Sequence, residues 1–311
     1  MGVSRARCAV VGAANIDVGG FPSGLVAMGD SNPGRVRLSA GGVGRNIACN
    51  LARLGVETHL LTALGGDAFA EVIRADCAAA GVDLNHALAC PEAESSVYLF
   101  IADAGGDMQL AVNDMRICER LTPEAVAPEL PWLNAMDAVI LDANLSPETL
   151  AFLAERVRAP LYADAVSAAK ARRLLPILPR LRAVKPNALE AAVLTGLPVS
   201  DNASVEDAAR RLVRLGVQRA FITLGERGAC AMEGDAFVHL PGGPVRMVNA
   251  TGAGDAFTAA LAWSAASRPD IGLEDQLRFG LAAASIALEA ESTVNPAMSR
   301  ELLMSRAASL Q

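Results

Sequence analysis

The chain has 311 residues, with 27 basic and 34 acidic side chains and a formal net charge of −7. This acidic balance, without a basic run, argues against a nucleic-acid or membrane-surface partner and favours small-molecule ligands. No apolar run is long enough to span a membrane, and the six cysteines are scattered without a CxxC pair. We therefore expect a cytoplasmic protein whose cysteines are reduced.

Short apolar strands alternate with helices along most of the chain. The first strand is predicted at 8–13, the helix after it at 42–54, and a strand and a helix follow at 57–64 and 67–80. Further strands are predicted at 138–141, 161–164, 183–185, 220–224, 229–232 and 236–239, and further helices at 146–157, 188–194, 204–215 and 273–290. The alternation predicts an α/β fold, a three-layer sandwich with a mostly parallel central sheet.

Two β-rich segments interrupt this alternation. Residues 19–40 are rich in Gly, Pro and Ser, and residues 95–116 hold a predicted hairpin with strands at 96–102 and 108–113 around a turn at 103–107. We expect the two segments to join as a small β-sheet lid. The remaining residues, 1–18, 41–94 and 117–311, would then form the α/β domain.

A glycine-rich turn precedes a predicted apolar helix at 256–266. Residues 252–255 read Gly-Ala-Gly-Asp, and such a helix start leaves backbone N–H groups unpaired beside the positive end of the helix dipole, which suits a phosphate. Asp255 would lie ionised in the first turn, although it could also simply cap the helix. A second glycine cluster, at 39–46, also opens a helix. Two such helix starts suit a site in which an acceptor faces a phosphate donor.

Four motifs in chain order resemble those of ribokinase-like (PfkB) carbohydrate kinases, and the resemblance runs from end to end. Residues 41–46, GGVGRN, resemble the first signature of the family, and residues 249–257, NATGAGDAF, resemble the second. Between them, KPNALE at 185–190 resembles the Asn-x-x-Glu motif and TLGERG at 223–228 the nucleotide loop. The resemblance implies transfer of the γ-phosphate of ATP to a sugar hydroxyl, with Mg²⁺ as cofactor.

The resemblance also implies roles for the residues of these motifs. Asp255 would be the catalytic base, and the N–H groups of Gly252, Ala253 and Gly254 would stabilise the transferring phosphoryl group. Glu190 would hold Mg²⁺ through water, although Asn187 and Glu190 also fit a helix N-cap and its capping-box partner. The residues expected to bind ATP are Lys185, Asn187, Thr223, Gly225, Gly228 and Gly254.

On the acceptor side, Asn15 and Asp17 follow the first strand, where an amide and a carboxylate can hold adjacent hydroxyls. The acceptor is expected to contact Asn15, Asp17, Gly41, Gly42, Asn46, Asn113 and Asp255. Asn249 and Thr251 occupy positions where the family binds K⁺, while Glu291 opens a segment that replaces the usual glycine-rich C-terminal loop.

Within the family, four segments have sequences that resemble those of pseudouridine kinases: 12–17, 106–115, 164–170 and 248–249. This subgroup resemblance implies the 5′-hydroxyl of pseudouridine as the acceptor. Another nucleoside, ribose or sugar kinase, and a non-catalytic nucleoside-binding protein of the same fold, are the alternatives. Unpaired strand edges on the lid also favour a homodimer formed through the lid.

Overall fold

The computed structural model describes residues 5–103 and 107–310. The strands are β1 (Arg7–Val11), β2 (Asn15–Pro22), β3 (Gly34–Gly41), β4 (Glu57–Leu61), β5 (Ala63–Gly65), β6 (Val82–Asp83), β7 (Leu88–Cys90), β8 (Ser96–Ala102), β9 (Met108–Asp114), β10 (Ala138–Asp142), β11 (Leu161–Asp164), β12 (Leu181–Lys185), β13 (Arg219–Thr223), β14 (Ala229–Glu233) and β15 (Ala236–Leu240). The α-helices are α1 (Val43–Arg53), α2 (Ala68–Ala80), α3 (Pro123–Val126), α4 (Leu130–Leu133), α5 (Pro147–Arg156), α6 (Ala168–Ala171), α7 (Ala188–Thr195), α8 (Asn202–Arg214), α9 (Ala253–Ser267), α10 (Leu273–Leu288) and α11 (Arg300–Ser309).

The central sheet has the strand order β15-β14-β13-β12-β11-β10-β1-β4-β6. Strands from β13 to β6 pair in parallel, and β14 and β15 add an antiparallel edge. Alternate residues of β1 join two separate hydrophobic cores: Cys8 and Val10 enter one, Ala9 and Val11 the other. Because both faces of the sheet are covered, the predicted α/β sandwich is confirmed.

Each of the six cysteines is buried and free of a disulfide. Across residues 5–103 and 107–310, the structure contains no helix with the length and apolar character needed to cross a bilayer.

A separate four-stranded sheet, which we call the small sheet, consists of β3, β2, β8 and β9 in that order. The hairpin predicted around 103–107 is confirmed by the antiparallel pairing of β8 with β9, although residues 104–106 of its turn lie outside the described residues. Strand β2 pairs in parallel with β8 and so joins the two β-rich segments. That the small sheet acts as a lid stays a prediction.

The strand boundaries differ from the prediction where the chain enters the small sheet. The first strand ends at Val11, and β2 begins at Asn15, so Asn15 and Asp17 lie on the small sheet and not at the end of β1. The turn is tight because Gly12 packs directly on Asp142, where a Cβ would come within 2.4 Å of Asp142 Oδ2. The strand predicted at 57–64 is likewise divided into β4 and β5.

The fully buried Asp142 binds three backbone segments: the turn after β1, the start of α1 and the loop after β10. Its Oδ2 accepts hydrogen bonds from the backbone N–H groups of Ala13 (2.8 Å) and Gly44 (2.9 Å), and its Oδ1 accepts one from Asn144 N–H (2.8 Å). A carboxylate at the end of β10 therefore fixes the turn that leads from β1 to Asn15 and Asp17 on β2, and the start of α1, which carries Asn46.

Candidate active site

The N terminus of α9 is open because its cap is a glycine. Gly252 has φ 89°, in the left-handed region, and no side chain caps the helix. A Cβ on Gly252 would come within 1.9 Å of the Thr293 carbonyl oxygen, and a Cβ on Gly254 within 2.7 Å of Lys185 Nζ. The small residues therefore allow a neighbouring chain segment and an ammonium group to reach the first turn. Helix N–H groups and an ammonium together make a site for an anion.

Asp255 lies buried in this first turn and joins the two glycine motifs. Its Oδ2 accepts a hydrogen bond of 2.8 Å from Asn46 Nδ2 on α1, so the alternative in which Asp255 caps its own helix is not observed. Burial, and next the charge of Asp164, raise the pKa of Asp255 to about 7, against the opposing effects of Asn46 and Lys185. Burial therefore opposes the ionisation that the sequence predicts for this carboxylate, and the sequence did not show how deeply it is buried.

Lys185, at the end of β12, forms a buried ion pair. Its Nζ lies 3.1 Å from Asp164 Oδ2, and Thr258 Oγ1 donates to the same oxygen at 2.8 Å. Burial lowers the pKa of Lys185, but the carboxylates of Asp164, Glu190 and Asp255 outweigh burial and hold that pKa above its usual value. The ammonium is therefore charged where a phosphate would meet the helix. Asp164 and Thr258 were not among the predicted site residues, although Asp164 ends a predicted strand.

The Asn187–Glu190 pair forms a capping box at the start of α7. Asn187 Oδ1 accepts from Glu190 N–H (2.9 Å), and Glu190 Oε2 accepts from Asn187 N–H (2.8 Å), as in the structural alternative stated for this motif. Burial raises the pKa of Glu190, while Lys185 opposes it. One Glu190 oxygen is thus engaged by the backbone, and a further role toward Mg²⁺ stays a prediction.

The nucleotide-loop residues lie beside this capping box. Thr223 ends β13, forms a bridge with Asn187 and donates its N–H to Pro186 O at 3.0 Å. Gly225 begins the short 3₁₀ helix that connects β13 to β14, and Gly228 is its C-cap. The residues predicted to bind ATP are therefore grouped at the ends of β12 and β13 and at the start of α9.

The predicted acceptor residues on the small sheet share one face. Asn15 Nδ2 donates to Asp17 Oδ1 at 2.7 Å, and Asp17 pairs with Tyr98, which pairs in turn with Asn113. Paired residues point to the same side of a sheet, so Asp17, Tyr98 and Asn113 form one row across three strands. The prediction missed Tyr98, because a cross-strand row depends on register and not on local sequence.

The two glycines at the end of β3 allow close packing in this region. A Cβ on Gly41 would come within 2.3 Å of Asp17 Oδ2. Gly42 is the N-cap of α1 with φ 96°, and a Cβ there would come within 2.6 Å of Ala13 O. Burial raises the pKa of Asp17, against the effects of Asn15 and Arg45.

The loop before α9 contacts the segment at 291–293. Asn249 Nδ2 donates to Glu291 O (2.9 Å), Asn249 Oδ1 accepts from Thr251 N–H (2.9 Å), and Thr293 Oγ1 donates to Asn46 Oδ1 (3.3 Å). In the part of the chain that the structure describes, no group of three or more His, Cys, Asp or Glu side chains could hold a metal ion. Binding of K⁺ near Asn249 and Thr251 stays a prediction.

Residues 5–300 match the pfkB family of carbohydrate kinases, and the chain belongs to this family. The pseudouridine kinase of Escherichia coli (strain K12) is 34% identical over 295 residues, which cover 93% of each chain. An uncharacterized sugar kinase of the same strain is 33% identical over 302 residues, covering 96% of this chain and 82% of the relative. The structure of Arabidopsis thaliana ribokinase complexed with ribose and ATP shares the fold, with a TM-score of 0.86 at 23% identity over 97% of this chain and 99% of that chain.

The family and the fold together define the class of reaction. The chain is an enzyme, a phosphotransferase that uses a hydroxyl group as acceptor, and it is a carbohydrate or nucleoside kinase with a ribokinase-like fold. The predicted family and fold are thus confirmed.

If Asp255 is the catalytic base, Asp255→Asn should lower kcat by about 10²- to 10⁴-fold, because a positioned base contributes a factor of this size. ATP affinity should be retained, since the amide has the same shape and can still bond Asn46. Steady-state kinetics and calorimetric ATP titration measure the two effects. Asp275→Asn, at an exposed position in the first turn of α10, is the matched control. A kcat within a few-fold of the wild type would contradict the assignment.

The raised pKa of Asp255 predicts opposite pH dependences for activity and stability. A base must be deprotonated, so kcat/KM should fall as the pH drops below about 7. The folded state binds this proton more tightly than the unfolded state, whose carboxyl has a pKa near 3.8. The stabilisation is therefore complete below pH 3.8 and is lost as the pH rises through 7. At pH 8, Asp255→Asn should raise the free energy of unfolding measured with urea; a lower value would contradict the shift.

Proposed function

We propose that this enzyme phosphorylates the 5′-hydroxyl of pseudouridine with ATP. The observation that carries the proposal is the 34% identity to a pseudouridine kinase across 93% of both chains, because it extends over the acceptor side as well as the nucleotide side. The site supplies the groups that such a transfer needs: a buried carboxylate, an open helix N terminus and a buried ammonium.

In the proposed reaction, Asp255 accepts the proton of the acceptor hydroxyl as its oxygen attacks the γ-phosphorus of ATP. The bond from this phosphorus to the β,γ-bridging oxygen breaks, and ADP leaves with the electron pair. The N–H groups of Gly252, Ala253 and Gly254 stabilise the negative charge of the transferring group, and the ammonium of Lys185 adds to this effect. A pKa of about 7 suits this base, since near neutral pH it is partly ionised and still basic enough to take a proton.

Asn15 and Asp17 would hold the ribose hydroxyls, with Gly41 and Gly42 providing close backbone approach. Asn46 would keep Asp255 in position through its 2.8 Å hydrogen bond. Asn113 would meet the acceptor from the small sheet, because it shares the row that contains Asp17.

Mg²⁺ fits the nucleotide side in one particular way. With no cluster of three candidate ligands among residues 5–103 and 107–310, the protein offers no complete cage, and Mg²⁺ is commonly held by one or two carboxylates, substrate phosphates and water. Glu190 is the carboxylate that we propose for this role, acting through water. When bound, the ion would neutralise phosphate charge. We further propose K⁺ near Asn249 and Thr251, where the segment at 291–293 supplies nearby carbonyl groups.

A second candidate function is the phosphorylation of another sugar or nucleoside. The observation that favours it is the uncharacterized sugar kinase, whose identity to this chain is only one percentage point lower, at 33% against 34%. The same base and anion site would serve any primary hydroxyl, so the acceptor alone separates the two candidates.

A coupled assay of ADP release can decide between these candidates. Pseudouridine, uridine, adenosine, ribose and fructose are compared at equal concentration with ATP and Mg²⁺. We expect the highest kcat/KM with pseudouridine, and almost none with any acceptor for Asp255→Asn. A higher kcat/KM with a base-free sugar would transfer the proposal to the second candidate.

We also propose that the small sheet forms a homodimer with a second copy. Leu38, Val18, Leu99 and Val112 are paired in one row across the four strands, on the face opposite to Asp17. Leu38, Leu99 and Val112 are 60%, 40% and 60% exposed, and apolar patches of this kind mark association sites. A second copy is the occupant we favour, because a symmetric pair lets one apolar row cover the other.

Light scattering at micromolar concentration should give the mass of a dimer, and Leu38→Lys should give a monomer, since it places a charge in the apolar row. Leu175→Lys, at a 39% exposed leucine away from the small sheet, is the matched control and should remain dimeric. A wild-type monomer, or a Leu38→Lys dimer of unchanged affinity, would refute the proposed interface.

A further inference from the structure

A cleft separates the small sheet from the loops that follow β10 and β11. Its volume is about 650 Å³, within the range of small-molecule sites. Asn113 of β9 forms part of one wall, and Asn144 and Lys170 form part of the other. The cleft therefore includes the small-sheet residue already expected to meet the acceptor.

Lys170 is the cation in this cleft that is available to a ligand. Arg173 donates to the carbonyl oxygens of residues 143, 144 and 145, and Arg116 is bound to Asp114, so both guanidinium groups hold the protein's own chain. Lys170 Nζ donates to Asn144 Oδ1 at 2.5 Å, and this is the one hydrogen bond that the described residues give its ammonium. An ammonium has three donors, so two remain for a ligand.

The turn that carries Lys170 into the cleft has a strained backbone. Val166 has φ 64°, and it is the one non-glycine residue with a positive φ among those the structure describes. A β-branched residue in this region is strained and persists only where the surroundings impose the conformation. Here the Val166 N–H donates to Asp164 Oδ1 at 2.9 Å. The strained turn thus connects Asp164, the ion-pair partner of Lys185, to Lys170 in the cleft.

The cleft lies on the acceptor side of the site. Asn144, which accepts a hydrogen bond from Lys170, has its own N–H bound by Asp142. Asp142 also binds Gly44 N–H at the start of α1, and Asn46 on the same helix donates to Asp255. The predicted nucleotide residues are grouped elsewhere, at the ends of β12 and β13.

We infer that Lys170 is a specificity-determining residue that donates a hydrogen bond to a carbonyl oxygen on the base of the acceptor. The inference rests on the proposed function, in which a nucleoside presents its hydroxyl to Asp255. A carbonyl oxygen suits the remaining donors of Lys170, because its ammonium already donates to a neutral amide oxygen, Asn144 Oδ1, and the acceptor enters the reaction without a phosphate. The substrate class is therefore a nucleoside with an oxo group on its base.

Lys170→Met tests the inference, because it keeps an unbranched apolar side chain of similar bulk and removes the ammonium donors. Calorimetry on the full chain measures Kd for pseudouridine, uridine, inosine, ribose and ATP. We expect Kd for the preferred oxo-nucleoside to rise about 10- to 100-fold, the loss expected for a hydrogen bond from a charged donor. Kd for ribose and ATP should stay within about twofold. Arg172→Met, at the exposed basic position nearby, is the control and should change none of these values.

Equal losses for ribose and the nucleoside would give Lys170 a structural role and overturn the inference, as would an unchanged nucleoside Kd. Wild-type binding of ribose as tight as that of every nucleoside would also overturn it, since no base would then be held. If the wild type prefers uridine or inosine to pseudouridine, the proposed acceptor fails on its own, and Lys170→Met measured with the preferred nucleoside still decides the inference.

Discussion

The burial of like charges at the C-terminal ends of the parallel strands is the constraint on which the site depends. Three carboxylates, Asp142, Asp164 and Asp255, lie there out of water, and burying a charge is costly unless it is paired or hydrogen-bonded. Asp142 accepts three backbone N–H groups, and Asp164 binds Lys185 and Thr258. Asp255 has one side-chain donor, Asn46, among the described residues. This hydrogen bond does not offset the effect of burial, so the pKa of Asp255 is raised. The packing that completes the edge therefore also makes one of its carboxylates basic.

Much of the fold and part of the site follow from local sequence. Alternating apolar strands and helices predict a covered parallel sheet, because buried parallel strands are apolar on both faces. The glycine motifs predict two glycine-lined helix starts, because glycine is needed where the chain turns left-handed or meets another segment closely, as at Gly42 and Gly252. The start of α9 is open, whereas at α1 the Gly44 N–H is bound by Asp142. That the two starts face each other is visible in the Asn46–Asp255 hydrogen bond.

The remaining features depend on contacts between distant parts of the chain. Asp142 directly follows the strand predicted at 138–141, and its role appears only when the turn after β1 and the start of α1 pack beside it. Tyr98 joins Asp17 and Asn113 through strand register, which neither segment shows alone. The pKa of Asp255 depends on burial, and a helix-start motif predicts an ionised carboxylate when burial is ignored.

Two carboxylates, those of Asp142 and Asp67, attach one end of the small sheet to the α/β domain. Asp142 binds Ala13 N–H just before β2 begins, and Asp67, the N-cap of α2, accepts from Ser95 N–H (2.7 Å) and Oγ (2.8 Å) just before β8 begins. These two anchor points lie at the same end of the sheet, since β2 and β8 run in parallel. Residues near this end, such as Asp17, are therefore held relative to Asp255, because Asp142 also binds Gly44 N–H at the start of α1, and α1 carries Asn46, the hydrogen-bond partner of Asp255.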